Sequence, residues 1–170
     1  MKKSLKSLVI SIFLFSFVTT FAQGRMGEVG KLFHKDEADK LFGKPKQALQ
    51  INPKLLQRAL LKAKDYVLFT IKNGKILILD EKKHSLTDDN EKLDRLETAY
   101  IFSKSKVLEF LNAAFGNNSM QINNPKERAM EILSTTADPI YVEDRSSTLT
   151  LSAANSTLEL STLCPPICFE

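Results

Sequence analysis

The chain contains no tryptophan, two histidines and two cysteines, and both cysteines fall within its last seven residues. Without tryptophan, and with phenylalanines mostly at core spacing, it offers no stacking platform for sugars or bases. Neither His34 nor His84 stands in an HExxH context, and GxSxG, P-loop and GxGxxG patterns are missing as well. The common hydrolytic, phosphate-cradling and dinucleotide chemistries therefore have no support. His34 precedes a helix and His84 sits in a polar connection, positions that suit a cap or a solvated residue. No cofactor or metal site is indicated. Excess charge is lacking too: 24 Lys+Arg oppose 20 Asp+Glu, and three of those lysines lie in the first six residues, leaving 21 against 20 beyond them. A nearly neutral body has no electrostatic footprint for nucleic acid, whose binding requires many phosphate neutralisations. The charge is uneven, lysine-rich over 25–64 and acid-rich over 80–97, and such blocks are ordinarily solvated faces.

Long apolar runs are confined to the start. Lys2, Lys3 and Lys6 form a basic n-region, Leu8–Val18 a short apolar stretch, and Thr20-Phe21-Ala22 places small residues where a signal peptidase inspects them. Residues 1–22 therefore read as a secretory signal peptide cleaved between Ala22 and Gln23. The apolar run is short for a hydrocarbon core about 30 Å thick, which argues against an uncut anchor. Nothing later is apolar enough to span a membrane. Residues 23–170 are expected as one exported domain, periplasmic or secreted. Gln23–Gly30, with glycines at 24, 27 and 30, reads as a loose leader, because no strand precedes it as a phosphate loop would need.

The body reads as α+β, an antiparallel sheet packed by three or four helices. At its centre Tyr66–Glu81 reads as a β-hairpin closed on Asn73-Gly74, a pair suited to the positive φ of a type I′ turn. The implied register sets Val67, Phe69, Ile71, Ile76 and Ile78 on a fully apolar face and Leu68, Leu77 and Leu79 on a half-apolar one. Helices are expected over Lys35–Phe42, stopped by a left-handed Gly43, and from Asn52-Pro53 to about Lys64. Two more are expected over Lys104–Phe115, capped by Ser103 and stopped by Gly116, and from Asn124-Pro125 to about Leu133 with Glu127 completing a capping box. Glu97–Phe102 reads as a strand. Pro139–Glu143 reads as an edge strand, because proline cannot donate to a ladder. Ser147–Ser152 and Thr157–Leu163 read as a pair around Ala153-Ala154-Asn155, with their Ser and Thr facing water. Asp88-Asp89-Asn90-Glu91 lacks the ligand alternation and glycine of an EF-hand loop, so a solvated turn is the better reading. Asn155-Ser156-Thr157 fits a glycosylation sequon, but a signal peptide does not establish a eukaryotic host, so a plain turn is the better reading. An internal echo runs from Leu32-Phe33-His34-Lys35, Phe42-Gly43 and Pro53-Lys54 to Ile101-Phe102-Ser103-Lys104, Phe115-Gly116 and Pro125-Lys126. Duplication and chance recurrence of caps are both open readings.

The chemically pointed stretch is the tail, Cys164-Pro165-Pro166-Ile167-Cys168. After export an even pair of thiols oxidises, so Cys164 and Cys168 are expected to form a small disulfide ring, or to pair with another chain. A loop this short adds little global stability and serves to stiffen the terminus. Locally, the five residues CPPIC resemble the copper and redox motif of Sco-type copper chaperones, which implies thiol-dependent redox or copper handling with Cys164 and Cys168 as weak metal candidates. The adjoining PPICF resembles the proline-rich half of a Bowman–Birk inhibitor loop. The expected function is a non-catalytic binding or interaction module with a protein or small-molecule partner; the alternatives are thiol or copper chemistry at the tail and carriage of an apolar ligand.

Overall fold

The computed structural model describes residues 27–87, 91–94, 96–116, 124–145 and 148–164. The leader 1–22, residues 88–90 of the acidic run, and Cys168 with the prolines before it lie outside the described residues. β1 (Lys31–His34) runs directly into α1 (Lys35–Phe42), followed by β2 (Gln47–Ile51) and α2 (Pro53–Lys62). β3 (Tyr66–Lys72), β4 (Lys75–Leu79) and β5 (Ala99–Ser103) come next. After α3 (Lys104–Phe115) and α4 (Pro125–Thr135) the chain returns as β6 (Ile140–Asp144), β7 (Leu149–Ala153), β8 (Ser156–Glu159) and β9 (Thr162–Cys164).

The helices form where the sequence supplies caps. Asn52 and Asn124 each accept a hydrogen bond on the side chain from the amide two residues on, Lys54 and Lys126, at 2.9 and 3.1 Å. Proline at the first helical position gives up no intrahelical bond. Ser103 departs from the expected role. Its hydroxyl accepts from the Val29 amide at 2.7 Å instead of capping α3, so it ties the N-terminal approach to β5. Gly116 ends α3 at φ −73 and not in the left-handed region; Gly43 has φ 80 but an extended ψ of 167.

The expected single sheet is two sheets, both antiparallel: β1-β8-β7-β6-β2 and β4-β3-β5-β9. The cause is local. Leu160 takes φ 60, which breaks the expected strand Thr157–Leu163 in two. β8 stays in the five-stranded sheet, and β9 crosses to pair Ala99↔Cys164, Tyr100↔Leu163 and Ile101↔Thr162 in the other. Ser161 holds the corner, donating to the Leu149 carbonyl at 2.8 Å and lying 2.9 Å from the Thr148 hydroxyl. Pro139 does not mark an edge strand. β6 lies between β7 and β2, and the proline stands just ahead of the first ladder pair, Ile51↔Ile140, where it removes no bond.

β3 and β4 meet in the register Phe69↔Ile78, Ile71↔Ile76 and Lys72↔Lys75 around Asn73 and Gly74, whose φ values are 53 and 73. The main core lies between the sheets and α2, α3 and α4. It gathers Val67, Phe69, Ile78 and Phe102 from one sheet, Val142, Leu151 and Leu158 from the other, and Leu56, Leu60, Val107, Phe110, Leu111 and Leu133 from the helices. Burying each large apolar side chain contributes about 1.5–3 kcal/mol before entropy is counted. A smaller cluster of Leu68, Leu77, Leu79, Leu93, Ala99 and Ile101 covers the far face of the four-stranded sheet. Its lid is the connection after β4, which folds back through Leu86 N to Ile78 O at 2.8 Å and Leu93 N to Lys83 O at 3.0 Å. Where the sequence predicts a polar connection in solvent, this segment buries Lys83. The Lys83 ammonium donates to the Glu97 carbonyl at 2.5 Å, and burial pushes its pKa down.

Candidate functional site: a buried guanidinium cluster and a cleft between sheet edges

Alternation along β6, β7 and β8 sends Val142, Leu149, Leu151 and Leu158 to the main core. The alternate positions Glu143, Thr150, Ser152, Thr157 and Glu159 therefore share the opposite face. The sequence predicts that face in water. It is buried: α1 packs on it at β1 and β8, Arg145 spans from Glu159 to Glu143, and every one of those five side chains is covered. Arg145, the first residue after β6, completes the layer and is fully buried.

The guanidinium sits among three carboxylates. Nη2 donates to Glu143 Oε2 at 2.8 Å, Nη1 lies 2.9 Å from Asp39 Oδ1 on α1, and Nε lies 3.1 Å from Glu159 Oε1. Nη1 also donates to the Gly43 carbonyl just past α1. The contacts are unequal. The Glu143 pair is an aligned hydrogen bond, whereas Asp39 Oδ1 and Glu159 Oε1 are each close to the guanidinium without hydrogen-bond geometry, so those two attractions are Coulombic. The rest of the polar capacity is met by hydroxyls: Ser152 donates to Glu143 Oε1 at 2.5 Å and Thr150 to Glu159 Oε2 at 2.8 Å. Thr157 Oγ1 is buried with no hydrogen-bond partner among the described residues. Arginine suits this position because its planar fork addresses several carboxylates at once, which a lysine ammonium cannot do.

Three carboxylates against one guanidinium leave surplus negative charge in a dry layer. Lys35 on α1 offsets part of it, its ammonium 3.8 Å from Glu143 Oε1, but that lysine side chain is 43% exposed and solvent screens it. The Glu159 carboxyl, with a fully buried side chain, answers by shifting its pKa upward, burial being the main cause and the Thr150 hydroxyl and Arg145 opposing it. Beside the cluster a cavity of about 360 Å³ is lined by Lys35, Asp138, Tyr141 and Ser152 among others, so the buried Ser152 that braces Glu143 lies at its margin.

A second concavity lies where the two sheets approach each other. β2 closes one sheet and β4 the other. Between them a cleft of about 360 Å³ is lined by Leu49, Ile51 and Leu55 on one side and by Gly74, Ile76 and Ile78 on the other. Ile51 and Ile78 form its buried floor, while Leu49, Leu55 and Ile76 remain half-exposed on its walls.

The residues singled out in the sequence are not assembled into one centre. Cys164 closes β9 on the edge of the four-stranded sheet, opposite Ala99, and Cys168 lies outside the described residues, so their pairing is not visible. His34 ends β1 in the other sheet and makes no side-chain cap bond to α1. His84 is half-exposed, with Nδ1 3.6 Å from Asp80 Oδ2 in the turn after β4. Among the described residues no group of three His, Cys, Asp or Glu side chains has the geometry of a metal site; in the acidic cluster the central position is taken by Arg145. No described helix is long and apolar enough to cross a membrane. The cluster is invisible to sequence reasoning because a period-two polar face looks the same whether water or a helix covers it. Its one legible signal is two glutamates, Glu143 and Glu159, on a face whose other positions are Tyr141 on β6 and Thr and Ser on β7 and β8. Comparison with family models, with curated proteins and with solved structures returned no match.

Proposed function

We propose that this chain is an exported, non-catalytic binding module that takes an extended apolar segment of a partner polypeptide in the cleft between β2 and β4. The observation that carries this reading is that the edge strands of both sheets border one apolar cleft. An edge strand offers unpaired backbone groups to an incoming strand, here those of β2 and of β4 ahead of Ile78, whose carbonyl Leu86 already takes, and alternate side chains of that strand then need apolar seats. Leu49, Leu55 and Ile76 supply such seats on the walls. A catalytic reading has less support, since the clustered carboxylates are engaged by Arg145, Ser152 and Thr150 and no nucleophile stands against either histidine among the described contacts.

Titration of ¹⁵N-labelled protein with a panel of valine- and isoleucine-rich hexapeptides tests the proposal. Shifts are expected to concentrate on amides 47–52 and 74–79, and Ile76→Glu is expected to weaken binding at least tenfold by placing a carboxylate against an apolar seat, a cost of about 1.4 kcal/mol or more. Peptides that leave those amides unmoved at millimolar concentration, or shift another surface, overturn it. The export half of the proposal rests on the basic, apolar and small-residue succession in residues 1–22. N-terminal sequencing of the secreted protein is expected to begin at Gln23; an intact Met1 in the cytosol contradicts it. We also read the internal echo as a duplication. In both stretches a strand enters a helix without a turn, at His34-Lys35 and Ser103-Lys104, and a later helix opens on a side-chain-capped Asn-Pro pair. Unrelated helix angles on superposing 31–72 and 99–144 would end that reading.

A further inference from the structure

We propose that α1 is a pH-released cover, latched onto the five-stranded sheet by the Arg145 cluster while that cluster holds one proton and loosened when the proton leaves. Little else holds the helix. α1 has eight residues, and an isolated helix of that length is marginal in water. It buries one apolar side chain, Ala38, and leaves Leu41 61% exposed. Its remaining apolar hold is at its last residue, where Phe42 meets Phe33 of β1 edge to face at 5.4 Å between centroids. Its side-chain polar attachments pass through the cluster, Asp39 to Arg145 and Lys35 to Glu143, as does the Gly43 carbonyl just past the helix; outside the cluster the first residue is held by one backbone bond, from Lys35 N to the Asn155 carbonyl at 3.0 Å.

That dependence makes the latch a matter of charge. Glu159 is the member from which the proton departs, because neither Asp39 Oδ1 nor Glu159 Oε1 gains an aligned hydrogen bond from Arg145, and of the two only the Glu159 side chain is fully buried, that of Asp39 being 27% exposed. The groups facing it come from every packed element. α1 brings Asp39 and Lys35, β6 brings Glu143, the residue after β6 is Arg145, and β7 brings only the uncharged Thr150 and Ser152. From β1, Lys31 stands opposite Glu159 in register, but its ammonium lies over the Phe33 ring, 5.1 Å from the centroid. α3 packs against β8 on the other face, where Leu158 belongs to the main core. With Glu159 neutral, Glu143 and Asp39 oppose Arg145 and Lys35, and the charges balance. With Glu159 ionised an unbalanced negative charge faces Asp39 in a layer of low dielectric, and the cheapest relief is to swing Asp39, and α1 with it, into water.

The sign follows from linkage. Burial raises the Glu159 pKa in the closed form, so closure is favoured at pH values below the ordinary glutamate range and the advantage is lost as pH rises to the closed-form value. Between those two points the opening constant of α1 climbs by up to about tenfold per pH unit, then levels off.

Amide hydrogen exchange on the protein between pH 5 and 9, corrected for base catalysis, reads this directly. Protection of amides 36–42 is expected to fall with pH while amides of β3 and β5 keep theirs, and Glu159→Gln is expected to flatten the dependence. Carboxyl-carbon NMR of the wild-type protein supplies a readout that does not rely on a variant folding: the Glu159 signal should titrate over the same interval in which α1 loses protection. Constant α1 protection in the wild type, a slope that survives in Glu159→Gln, or a Glu159 titration below the interval each overturns the proposal.

Discussion

Replacing Arg145 by alanine is expected to destabilise the protein by about 3–5 kcal/mol, measured as a fall in the urea midpoint at pH 7. The magnitude comes from the uncompensated charge that remains in the layer, more than from the hydrogen bonds the guanidinium made. Glu143 and Glu159 have essentially no solvent exposure and Asp39 is only 27% exposed, so removing the guanidinium leaves three carboxylates facing one another in a dry layer. Arg145→Lys is expected to recover only part of the loss, because one ammonium cannot address Asp39, Glu143 and Glu159 together. The triple variant Arg145→Ala/Glu143→Gln/Glu159→Gln should be more stable than Arg145→Ala alone, since neutralising the stranded acids removes most of the penalty. If the single variant is near neutral, water reaches the layer and the cluster is not dry.

The second large effect is expected at the aromatic contact in the main core. Phe69 on β3 and Phe102 on β5 are fully buried, their rings 5.9 Å apart and 73° from coplanar, the edge-to-face arrangement that aromatic quadrupoles favour. Phe69→Ala should cost about 3–5 kcal/mol through lost transfer energy plus the cavity it leaves in close-packed surroundings. Phe102→Ala should cost a similar amount, and a double-mutant cycle should return a coupling of about 0.5–1.5 kcal/mol. Strict additivity would mean that the two rings are neighbours in distance but not in energy. The pair differs from Arg145 in one observable respect. Loss of aromatic packing carries no titrating group, so its cost should not change with pH, whereas the cost of Arg145→Ala should shrink as acid protonates the stranded carboxylates.

These two sites show how differently parts of the structure are written in the sequence. The positions of α3 over Lys104–Phe115 and of α1 over Lys35–Phe42 are readable, since their apolar spacing and stop residues are local properties. The Asn-Pro openings of α2 and α4 are readable for the same reason, a side-chain acceptor two residues from the amide it caps. Ser103 has the look of a third such cap, but the Val29 amide, 74 residues away in sequence, takes its hydroxyl. Pro139 has the look of an edge marker because the rule concerns proline inside a ladder, and it stands outside one.

What the amino-acid order determined by itself was therefore the α+β class, its helices and the apolar stripes that form the main core, all set by interactions within a few residues. Tertiary structure alone decided that there are two sheets, that the Ser, Thr and Glu face of β6, β7 and β8 is covered, and that Arg145 is drawn into it. The reason is that an alternating strand specifies two faces without specifying what lies over either. A polar face is stable in water and equally stable under a helix that brings it a matching charge, and only the placement of α1 chose between them.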